Sequence, residues 1–143
     1  MDDFNLEKLA KEIVVERLKS VADAAAGAGE VAHKIVSQAI TGTAARQAPR
    51  ESVQAVCRGL MSGMFLLEKD LSLTAVAILS QMSVVATETH QDPADLMTWA
   101  MEGIAPVVTL AGGHVREEVA RAIETEFMGA GEVFSQVCET AGA

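Results

Sequence analysis

The chain has 143 residues, half of them apolar, and carries 20 acidic against 11 basic side chains for a formal net charge of −9. That length suits one domain over 1–143 with a real core, since chains of this size bury about 68–70% of their unfolded surface. The charge is uneven: residues 1–72 hold ten acids and nine bases, residues 73–143 ten acids and two bases. Such a field repels phosphate backbones and anionic headgroups, and with no Tyr and only five other aromatics there is little for bases to stack on, so nucleic acid is excluded as a partner.

The chain opens MDDFNLEKL, charged where an export signal needs a basic start and an apolar run of about 7 to 15 residues, and a cytoplasmic location is expected. The hydrophobic periodicity predicts an all-α fold of about six helices in up to three hairpins, either a compact helical bundle or a short α-solenoid-like stack. The hairpins are expected at 6–25 with 30–46, 50–67 with 71–88, and 94–110 with 114–138. The stripe Val21, Ala25, Ala28, Ala32, Ile35, Ala39 crosses Gly27 and Gly29 in phase, but the glycines of GAGEV, residues 27–31, are expected to break the helix there. The second GAGEV, residues 129–133, is expected to lie inside a long helix.

Residues 49–60, PRESVQAVCRGL, are echoed 44 positions later by PADLMTWAMEGI, residues 93–104. In each copy the apolar side chains recur at i, i+3, i+4 and i+7: Val53, Val56, Cys57, Leu60 and Met97, Ala100, Met101, Ile104. Proline at the first helical position and an acid, Glu51 or Asp95, in the first turn mark both helix starts, and Asp92 is a good N-cap for the second. Gly59 and Gly103 occupy the same place. A mid-helix glycine costs about 1 kcal/mol relative to Ala unless close backbone approach compensates, so a tight crossing is expected at each. Continuing the offset aligns Val31, Ala75 and Val119, then Ile35, Leu79 and Ile123, then Ile40, Val84 and Met128.

Between the echoes, Leu71–Thr87 is free of charge for 17 residues, but six Ser, Thr or Gln side chains interrupt it, and a buried helix rather than a membrane span is expected. Pro106 removes an amide donor inside the fifth helix and should kink it near Glu102 or Gly103.

Chemistry is sparse. Glu30 and His33 have the E-x-x-H spacing of di-metal helical bundles, but a second such pair and two further inward glutamates are missing, so neither metal nor cofactor is expected. His114 stands three and four residues before Glu117 and Glu118, the spacing of a surface pair. Serines such as Ser80 and Ser83 lie in apolar helical stretches without a neighbouring His or Asp, and Cys57 and Cys138 form no metal spacing. A non-enzymatic association protein follows. Seven methionines suggest an adaptable apolar face, with Met61, Met64, Phe65, Met97, Trp99 and Met101 as candidate interface residues for a second copy in a dimer, a partner helix or an apolar ligand. The alternative is a helical carrier or coat that binds lipid, an apolar ligand or a hydrophobic granule surface.

Overall fold

The computed structural model describes residues 5–42 and 48–141, and among them the fold is an all-helical bundle of seven helices. They are α1 (Leu6–Arg17), α2 (Ala24–Thr41), α3 (Pro49–Leu66), α4 (Leu71–Thr89), α5 (Pro93–Ala111), α6 (Gly113–Glu126) and α7 (Ala130–Ala141). Local chemistry explains the starts. Asn5, Asp23, Asp70 and Asp92 each turn a side-chain oxygen onto a first-turn N–H, and Pro49 and Pro93 occupy first helical positions where no amide donor is needed.

The seventh helix arises because the chain breaks at the second GAGEV and not at the first. Gly27 and Gly29 lie inside α2, which Asp23 starts early by accepting the Ala26 N–H at 3.2 Å, and α1 ends at Arg17, short of the expected residue 25. Gly29 is retained for space: a Cβ there would lie 3.0 Å from the Ala77 carbonyl oxygen on α4. At the second copy Gly129 takes φ +90°, and the Glu124 carboxylate accepts the N–H groups of Gly129 (2.9 Å) and Gly131 (3.0 Å), satisfying donors at the start of α7. The expected helix stretch at 43–46 lies outside the described residues. α5 runs unbroken through Pro106.

Helices two apart in sequence pack together: α1 on α3, α3 on α5 and α5 on α7, and separately α2 on α4 and α4 on α6. Within each series neighbours run parallel. Gly59 faces Glu7 and Ala10 while Gly63 faces Lys11 and Val14, so numbering rises together along α1 and α3. Cys138 near the end of α7 lies beside Thr109 near the end of α5. Successive helices run antiparallel, as Arg116 at the start of α6 shows by reaching Ser135 and Glu139 late in α7. One edge of the molecule therefore gathers the ends of α1, α3 and α5 with the beginnings of α2, α4 and α6.

The core is continuous through both series, and the 44-residue frame predicts much of it. Val56 and Ala100, Cys57 and Met101, Leu60 and Ile104, Ala75 and Val119, and Leu79 and Ile123 are all buried. The third row fails: Ile40 is half-buried within α2, Val84 is exposed on α4, and Met128, which falls in the α6–α7 turn, is 95% exposed. α4 is the one described helix long and apolar enough to cross a membrane, with mean hydropathy 1.4, and here α2, α3, α5 and α6 all pack against it.

The two equivalent glycines make equivalent crossings. A Cβ on Gly59 would collide with the Glu7 carbonyl oxygen on α1, and one on Gly103 with the Gln54 carbonyl oxygen on α3. Beside each stands a charged residue that reaches back to the preceding helix. Arg58 donates to Glu7 at 3.1 Å, and Glu102 accepts two bonds from Arg50, at 3.1 and 2.7 Å, and one from Gln54 at 2.6 Å. The sign of the charge is reversed between the two equivalent positions, so each crossing has its own partner.

Candidate functional site

The residues singled out for chemistry do not come together. His33 is drawn away from Glu30 and places Nε2 2.7 Å from Glu88 Oε1, tying α2 to α4, and Glu30 is left exposed. Among the described residues no group of three His, Cys, Asp or Glu side chains is placed to hold a metal. His114 pairs with Glu118 at 3.1 Å on the surface of α6. Cys57 is sealed in the core and burial pushes its thiol up to about 12, while burial also raises Cys138 against the opposing pull of the Thr109 hydroxyl and Arg116. Neither is a nucleophile near neutral pH.

The proposed apolar contact residues divide. Met61, Met64 and Met101 are buried in the core of the chain, on the two helices, α3 and α5, that have neighbours on several sides: α1, α2 and α4 against α3, α4, α6 and α7 against α5, and each against the other. In this fold they present no surface to a partner. Met97 and Trp99 are half-buried against the core. Phe65 alone of the six is exposed, at 42%.

Phe65 opens onto a surface groove of about 730 Å³ at the turn edge, between the α3–α4 connection and α6. Its apolar wall comprises Phe65, Leu71, Ala111, Val115 and Ala122, and its charged lip Glu68, Lys69, Asp70, Glu118 and Arg121. Leu66, Leu73 and Leu110, next in the chain to lining residues, are 61%, 60% and 77% exposed. Leucine so exposed is unremarkable singly, but three such leucines, each adjacent in the chain to a residue of the groove that Phe65 lines, concentrate exposed apolar surface at this edge.

Backbone hydrogen bonds hold the lip, and one of its residues is strained. The Lys69 N–H bonds the Met64 carbonyl at 2.9 Å and the Glu68 N–H that of Phe65 at 3.0 Å, a Schellman closure of α3 that puts Glu68 in the left-handed region, φ 59°. Glycine is the usual occupant there, and a residue with a Cβ costs about 1–2 kcal/mol. Asp70 then caps α4 by accepting the Leu73 N–H at 3.0 Å. Sequence reading missed Leu66, Leu73 and Leu110 because each lies in a run that is apolar on nearly every side. The available signal was the turn chemistry at Glu68–Asp70, which locates the edge.

The chain matches no protein-family model, no curated protein and no solved structure at a significant level.

Proposed function

We propose that this is a non-enzymatic association protein, a short α-solenoid-like stack of helical hairpins that self-associates as a dimer in the cytoplasm. The observation that carries the reading is the exposed apolar edge at Phe65, Leu66, Leu73 and Leu110. Covering such a patch removes apolar surface from water at about 25 cal/mol per Å², and closed two-fold pairing is the commonest way soluble chains do so. The packing of α1 on α3 on α5 on α7, with α2 on α4 on α6, supports the solenoid-like description, since each unit rests chiefly on its neighbours. Light scattering coupled to size exclusion is expected to give twice the chain mass at micromolar concentration. A clean monomer over that range overturns self-association.

The groove itself favours a second reading, a carrier of an apolar ligand, because its volume falls in the range of small-molecule sites and its wall is apolar. Native mass spectrometry separates the two: a co-purifying small molecule of constant mass supports the carrier, and bare chain masses at dimer stoichiometry support association.

A further inference from the structure

Resting on the self-association reading, we propose that the partner is a second copy of this chain docked two-fold on the turn edge, with Phe65, Leu66, Leu73 and Leu110 at the centre and the charged lip around them. This places the contact away from the Met- and Trp-bearing part of α5, where Met101 is buried and Met97 and Trp99 are half-buried against the core.

Two observations choose the occupant. The first is charge. A two-fold interface sets one patch against its own copy, so the patch must complement itself. The lip does: Lys69 and Arg121 stand among Glu68, Asp70 and Glu118, and in an antiparallel pairing each copy's cations can meet the other's carboxylates. This balance is local. After Lys69 the chain has only two basic residues, Arg116 and Arg121; Arg116 is committed to Ser135 and Glu139 of α7, and Arg121 is the one at the groove. Elsewhere the acidic second half would push two copies apart.

The second is shape. Leu66 and Leu110 are exposed at the ends of α3 and α5, while Leu71, Ala111 and Val115 line the groove, so the edge offers both exposed apolar side chains and a hollow. Glu68, strained in the left-handed region, fixes one carboxylate at the lip of that hollow, and strain of this kind concentrates at binding sites.

The test compares the unaltered protein with Leu110→Glu, Arg121→Glu and Glu118→Arg, using Met128→Glu as the control at a still more exposed apolar position on the opposite edge. Dissociation constants come from analytical ultracentrifugation, and circular dichroism confirms that each variant is folded. Leu110→Glu is expected to weaken the dimer roughly thirtyfold or more, as loss of a central contact does, and Met128→Glu to leave it within about threefold. Arg121→Glu and Glu118→Arg should each weaken self-pairing, and mixing the two should restore a dimer containing one of each, because their lips carry opposite changes of charge. A wild-type dimer that survives Leu110→Glu, or a mixture that stays monomeric, overturns this surface while leaving self-association standing. A wild-type monomer removes both.

Discussion

Substituting Gly59 by Ala tests whether the glycines at the helix crossings are there for space. The added Cβ would overlap the Glu7 carbonyl oxygen and lie 3.1 Å from Ala10 Cβ, and neither is a flexible side-chain end that can swing aside. Helix α1 must lift. It is held by buried Leu6, Ala10, Val14 and Leu18. The three larger of these contribute about 2 kcal/mol each on burial, some 6 kcal/mol together, and a radial gap of about 0.5–1 Å forfeits a quarter to a half of close-contact energy. The loss is about 1.5–3 kcal/mol. Alanine returns about 1 kcal/mol of helix propensity, leaving a net destabilisation of about 0.5–2 kcal/mol and a fall in Tm of about 2–4 °C per kcal/mol. Gly113→Ala is the control, because a Cβ there meets nothing within 4 Å, and it should be neutral or stabilising by up to about 1 kcal/mol. Thermal and urea unfolding followed at 222 nm read both variants. If Gly59→Ala proves as stable as Gly113→Ala, the close crossing does not exist as described.

Glu68→Gly should raise stability by about 1 kcal/mol by relieving the left-handed residue, and urea unfolding that shows a loss instead would mean that the Glu68 side chain contributes more than its strain costs. A double-mutant cycle on Arg50 and Glu102 should give a coupling of only about 0.2–1 kcal/mol that shrinks with salt, since the arginine is well exposed despite its paired bonds. Cys57 should resist thiol reagents at pH 8 until the chain unfolds. Burial pushes its folded pKa up to about 12, above the ordinary thiol range, so the stabilisation is complete below the unfolded thiol's pKa and is lost as pH rises from there towards 12; a Cys57→Ala comparison that shows the same alkaline slope would contradict this. Added zinc should not raise Tm by more than His33→Ala removes, because His33 is paired to Glu88 and no third ligand stands nearby among the described residues.

Periodicity and start signals alone determine the helical class and the starts of α3, α4 and α5, because proline at a first position and Asp at a cap act within one turn of the chain. The 44-residue frame likewise predicts equivalent burial at Leu60 and Ile104 and at Leu79 and Ile123, and picks out Gly59 and Gly103 as crossing points. Tertiary structure decides what two identical pentapeptides do. GAGEV stays helical where Asp23 caps α2 and α4 needs the space at Gly29, and breaks where Gly129 turns and Glu124 supplies acceptors for a new helix. It also decides which apolar residues face out. Along Phe65–Leu67 apolar side chains point in successive directions around the helix, as Leu71 and Leu73 do either side of Ser72, and a leucine is buried only if some neighbouring helix covers it. Neighbouring helices bury Met61, Met64 and Met101, whereas Leu66, Leu73 and Leu110, close to helix ends, keep more than half of their surface open among the described residues.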